Sequence, residues 1–229
     1  MTDTISIEAL DGRSFQAFRA VPASPNGRGL IVLPEVYNVN RWVRGVAERH
    51  AARGYTVLVP DLFWRQRPGA HYEYDQPDPA RAQGEAVDVD AVVGDIGQIA
   101  RTLRRTLGEQ AVVGVIGYCL GGRLAALAGV REPVDAIVSY YGVKFDQHLD
   151  ELARLDKPAL FHFGGRDPWV PAETVDAVKR TLAGRANVAI HDYPQAGHGF
   201  DRNGHPPFDE AASALAFERT TRLLDDARR

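Results

Sequence analysis

Short runs of consecutive apolar residues alternate along the chain with stretches in which apolar residues recur every three or four positions. The short runs predict β-strands, and several of them are continuous in Val, Ile and Leu rather than alternating with polar residues. Continuous runs of this kind are typical of parallel strands that are buried on both faces of a sheet. The predicted strands span residues 15–20, 29–33, 56–59, 112–116, 136–140, 159–163 and 188–191.

The stretches between the predicted strands indicate helices. Residues 39–53 and the stretch from Val89 to Leu103 carry apolar side chains at helical spacing, and residues 209–225 predict a C-terminal helix. Strands that alternate with helices predict a doubly wound parallel sheet. No shift in composition indicates a second domain, so we expect one α/β domain over residues 1–229. Residues 65–84 are rich in Pro, Asp, Arg and Gln without an apolar period, and predict a long surface loop that can reach toward an active site.

The composition narrows the possible partners and compartments. Hydrophobic residues make up 45% of the chain, enough for a large core, and the formal net charge of -3 gives no basic surface for nucleic acid. A single cysteine excludes an internal disulfide and fits a reducing compartment. No apolar run approaches the roughly 18 residues that span a membrane, and the N-terminus lacks a signal-peptide pattern. We therefore expect a cytoplasmic protein that binds neither nucleic acid nor membrane.

The single cysteine lies where a predicted buried strand meets a predicted helix. Cys119 has one glycine two residues before it and another two residues after it, in the run G-Y-C-L-G-G. This is the spacing of the G-x-S-x-G nucleophile elbow, with sulfur in place of the serine oxygen. Glycine suits both flanking positions because a Cβ there would collide with the neighbouring strand and helix. Taken alone, Cys119 would fit equally well as a small apolar residue of the core.

Two further residues follow in the order acid, then histidine, that α/β hydrolases use. Asp167 comes just after the strand predicted at 159–163, where it could also be an ordinary turn aspartate. His198 lies between two glycines after the strand predicted at 188–191, a setting that core packing does not explain. The remaining histidines are expected to be structural or solvated, and they are His50, His71, His148, His162, His191 and His205.

A second carboxylate follows the strand predicted at 29–33. Glu35 lies at the edge of the sheet where ligands bind in open α/β folds, and a buried acid there requires a partner. It could also be a carboxylate at a helix start, which the helix dipole favours. The same loop offers the backbone N–H of Val36, which we expect to form an oxyanion hole with the N–H of Leu120.

Together these motifs resemble the dienelactone hydrolase family (carboxymethylenebutenolidases) over nearly the whole chain. The elbow matches the family outright, cysteine included, and so do the P-D-L at 60–62 and the Y-Y-G at 140–142. Residues 162–167 resemble the acid loop of the family. Residues 35–40 resemble its E-x-x-G-V-N with Asn38 for glycine, and residues 196–200 resemble its A-G-H-S-F with Gly199 for serine. The resemblance implies an α/β-hydrolase fold with a mostly parallel sheet, helices on both faces and no large cap.

The resemblance also implies a mechanism. Cys119 would attack the carbonyl of an enol-lactone and form an acyl-enzyme, as in conversion of a dienelactone to maleylacetate in aromatic catabolism. His198, oriented by Asp167, would promote thiolate formation and later activate water. Glu35 would contact the resting thiol and help to deprotonate it once substrate binds. The resemblance implies a carboxylic-ester hydrolase that needs neither a metal ion nor an organic cofactor.

Recognition of the substrate carboxylate would fall to two arginines in this family. Arg202 matches one of them, and Arg81 is the best candidate for the other, although its region lacks the aromatic residues expected beside it. Either arginine could instead be a solvated surface charge. The further expected substrate contacts are Tyr37, Tyr141 and Phe200.

Three hypotheses therefore stay open at this point. The first is a cysteine hydrolase that opens a dienelactone. The second is a cysteine carboxylesterase or lactonase of the same family with broader specificity, which the Arg81 region, Asn38 and Gly199 favour. The third is a non-catalytic small-molecule-binding protein or a redox-responsive thiol protein on a hydrolase fold. We expect a monomer rather than an obligate oligomer.

Overall fold

An eight-stranded sheet forms the centre of the protein, whose residues 1–228 are described by a computed structural model. The strands lie side by side in the order β1-β2-β4-β3-β5-β6-β7-β8. β1 and β2 pair antiparallel, as do β2 and β4, and all the other neighbours are parallel. The strands are β1 (Thr2–Glu8), β2 (Ser14–Ala20), β3 (Gly29–Leu33), β4 (Thr56–Pro60), β5 (Val113–Tyr118), β6 (Ala136–Tyr140), β7 (Ala159–Gly164) and β8 (Val188–Tyr193).

Helices cover both faces of the sheet. One hydrophobic cluster packs α3, α4 and α6 against the strands, and a second packs α1 and α7. A 3-10 turn at Phe145–Gln147 precedes α5. The α-helices are α1 (Arg41–Ala51), α2 (Pro77–Glu85), α3 (Val89–Leu107), α4 (Leu120–Arg131), α5 (Leu149–Leu152), α6 (Ala172–Thr181) and α7 (Glu210–Asp226). None of the helices within residues 1–228 has the length and apolar character needed to cross a membrane.

The predicted mostly parallel α/β sheet with helices on both faces is confirmed, and β3 and β6 begin and end at the predicted residues. Two elements depart from the prediction. β1 was not predicted as a strand, and the segment predicted as a loop over 65–84 contains most of helix α2. Because the connections that follow β3, β5, β7 and β8 all lie at the carboxyl edge of the sheet, the side chains they carry can meet there.

Candidate active site

Cys119 occupies a sharp turn between β5 and α4. Its backbone has a φ of 54°, a left-handed conformation that side chains rarely adopt, and its N–H donates to the carbonyl oxygen of Tyr140 at 3.0 Å. A Cβ on Gly117 would lie 1.9 Å from the carbonyl oxygen of Gly121, and one on Gly121 would lie 2.3 Å from that of Leu33. The chain can therefore make this turn only with glycine at both flanking positions, as the sequence pattern predicted.

Asp167 and His198 are hydrogen bonded to each other although they are 31 residues apart. The Nδ1 atom of His198 lies 2.8 Å from Oδ2 of Asp167. The other carboxylate oxygen, Oδ1, accepts hydrogen bonds from the backbone N–H groups of Trp169 at 2.8 Å and Val170 at 3.2 Å. Both oxygens are thus engaged, so the carboxylate is held in one orientation and in turn fixes the imidazole ring.

The imidazole of His198 is almost completely buried, and burial by itself lowers its pKa. The electrostatic interaction with Cys119 and the hydrogen bond that His198 donates to Asp167 act in the opposite direction and raise the pKa of His198 to about 10. His198 is therefore protonated at neutral pH, and it lies close to Cys119. A protonated imidazole beside a cysteine can favour a thiolate and can donate a proton to a leaving group.

Glu35 is buried and pairs with Arg202. The Nε of Arg202 lies 2.9 Å from each carboxylate oxygen of Glu35, and the hydroxyl of Tyr74 donates to Oε2 at 3.3 Å. Within residues 1–228 no hydrogen bond joins Glu35 to Cys119, the contact that the resemblance implied for the resting thiol. Glu35 thus has the partner that its burial requires. Tyr74 was missed, because a tyrosine in a segment rich in Pro and Asp carries no signal of a site.

The loop after β3 is held in place by Asn38. This residue has a φ of 57°, and asparagine is one of the few residues besides glycine that tolerates this region. Its side-chain amide donates to Oδ1 of Asp61 at 2.6 Å and to the carbonyl of Ala70 at 2.7 Å, while its Oδ1 accepts from the N–H of Leu62 at 3.0 Å. Asn38 therefore adopts the left-handed conformation that glycine also adopts readily, and its side chain adds three hydrogen bonds to the loop.

The backbone N–H groups of Val36 and Leu120 form no hydrogen bond with any of the described residues. Helix α2 packs directly on both residues, since a Cβ on Gly84 would lie 2.5 Å from Cγ1 of Val36 and 3.8 Å from Cδ2 of Leu120. An oxyanion hole needs two free N–H donors, and here one lies in the loop after β3 and the other at the first residue of α4.

Arg81 lies on α2 rather than in a loop. Its Nη2 pairs with Oδ1 of Asp78 at 2.6 Å, and its guanidinium lies 5.2 Å from the centre of the Trp169 ring. Trp169 is 55% exposed and lies two residues after Asp167. An aromatic partner that is missing from the sequence around Arg81 is thus supplied by the loop that carries Asp167.

All three aromatic residues predicted to contact substrate are buried, although Tyr37 keeps a small exposed fraction. Tyr37 packs edge-on against Tyr74 with ring centres 4.5 Å apart, beside the guanidinium of Arg202. Tyr141 and Phe200 were expected to touch substrate, but both side chains are completely buried. The Tyr141 ring lies 5.0 Å from the His198 ring and 5.4 Å from that of Phe200, so the two aromatic residues support the imidazole from inside the protein.

Across residues 1–228, no three His, Cys, Asp or Glu side chains are grouped so as to hold a metal ion.

Comparisons with known proteins show the family of this chain. The sequence profile of the dienelactone hydrolase family matches residues 15–227. The chain is 34% identical to the carboxymethylenebutenolidase of Pseudomonas putida, over 98% of this chain and 96% of that protein. It is 30% identical to carboxymethylenebutenolidase 1 of Cupriavidus pinatubonensis, over 98% of this chain and 97% of that one.

Solved structures show the same fold. A Klebsiella pneumoniae protein assigned as a dienelactone hydrolase superposes with a TM-score of 0.89 at 26% identity, covering 99% of this chain and 98% of its own. The esterase Pf2001 of Pyrococcus furiosus superposes with a TM-score of 0.73 at 18% identity, covering 100% of this chain and 94% of its own. At that lower identity, the second likeness concerns the fold alone.

Proposed function

This chain belongs to the dienelactone hydrolase family and is a carboxylic-ester hydrolase, and we propose that it opens carboxylate-bearing enol-lactones through a thioester on Cys119. The observation that carries the proposal is the hydrogen-bonded pair of His198 and Asp167 beside a cysteine in a strained elbow. Backbone strain of this kind is concentrated at functional sites. A cysteine that only filled the core would require neither the strain nor the charged neighbour.

The first half of the reaction transfers the acyl group to sulfur. The thiolate of Cys119 attacks the lactone carbonyl, and the N–H groups of Val36 and Leu120 stabilise the oxyanion that forms. When the tetrahedral intermediate collapses, the ring C–O bond breaks and the enolate leaves while still attached to the acyl chain. His198 protonates the enolate, which becomes the more stable ketone, so the ring does not close again.

The second half of the reaction regenerates the thiolate. His198, now neutral and still oriented by Asp167, removes a proton from water as the water attacks the thioester carbonyl. Collapse of the second tetrahedral intermediate expels the sulfur of Cys119 as thiolate and releases the product acid. The proton that His198 took from water restores the original ion pair, so the cycle closes without any other reactant.

Arg202 and Arg81 are the proposed groups that bind the substrate carboxylate. The Nε of Arg202 is occupied by Glu35, but its two terminal amino groups make no hydrogen bond within the described part of the chain. A substrate carboxylate bound to those groups competes with Glu35 for the guanidinium. Glu35 would then be free to accept a proton from any Cys119 still in the thiol form, which gives this acid its proposed role.

One observation favours the broader esterase as the second candidate. Glu35 and Asp78 each pair with one of the two arginines, so little net positive charge faces an incoming substrate. The site would then have no strong electrostatic preference for an anionic substrate over a neutral ester. The chemistry at Cys119 would be the same, and only the substrate class would differ.

Steady-state hydrolysis distinguishes these possibilities. We expect wild type to turn over a carboxylate-bearing dienelactone with a higher kcat/KM than a neutral p-nitrophenyl ester, and Cys119→Ala to turn over neither. Turnover of the neutral ester alone, lost in Cys119→Ala, would assign the broader esterase. Absence of turnover with a thiol that still reacts with iodoacetamide would support a non-catalytic thiol protein.

A further inference from the structure

We propose that Gly199 is a specificity-determining residue, because the absence of a side chain at this position lets Arg202 reach Glu35 and so sets the geometry of the carboxylate-binding group. The inference rests on the proposed role of Arg202 in binding a substrate carboxylate. It concerns the position at which this chain has glycine and the family motif has serine.

The space that a side chain at position 199 would occupy is filled by Arg202. A Cβ on Gly199 would lie 2.5 Å from Nε, 2.6 Å from Cζ and 2.8 Å from Cδ of Arg202. These distances are well inside van der Waals contact, and the atoms concerned include the nitrogen that donates to Glu35. The Arg202 conformation seen here is therefore incompatible with any larger residue at position 199.

Arg202 cannot simply shift aside and keep its partners. Its guanidinium carbon lies 5.0 Å from the centre of the Tyr74 ring and 5.5 Å from that of Tyr37, within the range of cation–π contact. Glu35 is only 2% exposed and offers both oxygens to Nε. A displaced guanidinium would lose these contacts together and leave a buried carboxylate without its cation.

Two other glycines show that the clash with Arg202 is specific to position 199. Gly197, on the other side of His198, has only ordinary contacts, since its nearest neighbour to an added Cβ is Cγ of Pro207 at 3.5 Å. Gly204 has a φ of 86°, close to the 84° of Gly199, but an added Cβ there would have nothing within 4 Å. Neither proximity to His198 nor a positive φ accounts for the clash with Arg202.

The kinetic test compares the ratio of kcat/KM for a carboxylate-bearing dienelactone to kcat/KM for a neutral p-nitrophenyl ester. We expect Gly199→Ala to lower this ratio by about tenfold or more, the factor for losing a hydrogen bond to a charged group, and Arg202→Ala to lower it equally. The double variant should be no lower than either single variant. Gly197→Ala and Gly204→Ala should keep the wild-type ratio.

A ratio that stays at the wild-type value in Gly199→Ala would overturn the inference. So would a double variant whose loss is the product of the two single losses, because that would mean that the two positions act independently. If Arg202→Ala itself leaves the ratio unchanged, the proposed role of Arg202 fails, and Gly199 then does not determine specificity through it.

Thermal unfolding tests the packing relationship without relying on activity. Alanine at position 199 pays the same cost for its positive φ whether or not Arg202 is present. The clash of its Cβ, in contrast, is with Arg202 and disappears in the Arg202→Ala background. We therefore expect Gly199→Ala to lower Tm more in the wild-type background than in the Arg202→Ala background. Equal losses in the two backgrounds would overturn the inference. A Gly199→Ala protein that fails to fold while the double variant folds would support it.

Discussion

The Nδ1 atom of His198 lies 2.8 Å from Oδ2 of Asp167, and the other oxygen of that carboxylate is held by two backbone N–H groups. In Asp167→Asn, the amide oxygen can keep the bonds to the backbone, but its NH₂ group would then face the imidazole. His198 would be forced into the wrong tautomer, and its positive form would lose a counter-charge. We expect kcat to fall by about a thousandfold or more.

The measurement for Asp167→Asn is steady-state hydrolysis, with circular dichroism and Tm to show that the variant is folded. The Asp167→Asn protein should still fold, since the backbone bonds to residue 167 are kept, but with a lower Tm because protonated His198 loses its hydrogen-bond acceptor. A folded variant with more than a tenth of the wild-type kcat would mean that Asp167 does not orient the base.

The ion pair of His198 predicts a pH dependence of stability. Burial opposes its protonation, but the charge of Cys119 and the bond to Asp167 raise the pKa of His198 to about 10, above the value of about 6.5 in an unfolded chain. A raised pKa stabilises the folded state fully below about pH 6.5, and that stabilisation is lost as the pH rises through about 10. We expect the free energy of unfolding in urea to fall between pH 7 and pH 10.

Cys119→Ala is the matched control for this pH dependence, because it removes the charge that raises the pKa of His198 and leaves the other titrating groups in place. Its free energy of unfolding should decline less steeply over the same range than that of wild type. Identical slopes in the two proteins would mean that the charge of Cys119 does not stabilise protonated His198.

The buried ion pair of Glu35 and Arg202 predicts a rescue experiment on stability. Arg202→Ala leaves a carboxylate that is 2% exposed without its cation, which typically costs about 3 kcal/mol. Glu35→Gln in the same background removes the stranded charge while keeping the shape of the side chain. We expect urea unfolding to show a marked loss in Arg202→Ala and partial recovery in the double variant; equal stability of the two would contradict the pairing.

The elbow predicts opposite effects for two glycine substitutions. Gly117→Ala would place a Cβ 1.9 Å from the carbonyl oxygen of Gly121, and moving that backbone should cost about 3 kcal/mol or more. Gly45→Ala, in the exposed part of α1, meets nothing within 4 Å and should stabilise the protein by about 0.5 to 1 kcal/mol. Urea unfolding measures both, and a Gly117→Ala protein as stable as wild type would show that the elbow tolerates a side chain.

Much of the fold could be predicted from the sequence because buried parallel strands are continuous in apolar residues. β3 reads Gly-Leu-Ile-Val-Leu and is buried throughout, so its bounds were evident. β1 was missed because it is an antiparallel edge strand that is mostly exposed, with Ile7 its only buried residue. α2 was missed because Ala80 and Gly84 are its only buried residues, and neither gives an apolar period. Helix α2 begins at Pro77, a residue type that is common at the first position of a helix, and it packs on Val36.

The residues of the site also fall into those that the sequence predicts and those that only the structure shows. Cys119, Asp167 and His198 could be predicted to meet, since each follows a strand at one edge of the sheet and has a distinctive local sequence. The pairing of Glu35 with Arg202 could not, because the two are 167 residues apart and the contact depends on side-chain conformation. The packing of α2 against the loop after β3 depends on tertiary structure in the same way. The hydrogen bond from Tyr74 to Glu35 likewise has no counterpart in a sequence pattern.

Mass spectrometry of the acid-quenched enzyme tests the central claim most directly, which is that Cys119 carries the acyl group. Wild type is mixed with a carboxylate-bearing dienelactone for milliseconds and quenched in acid, where a thioester persists. Because the leaving group stays attached to the acyl chain, the account predicts a gain equal to the whole mass of the lactone, located on the peptide that contains Cys119 and absent from Cys119→Ala. Turnover without this adduct in wild type, or the same adduct in Cys119→Ala, would contradict it.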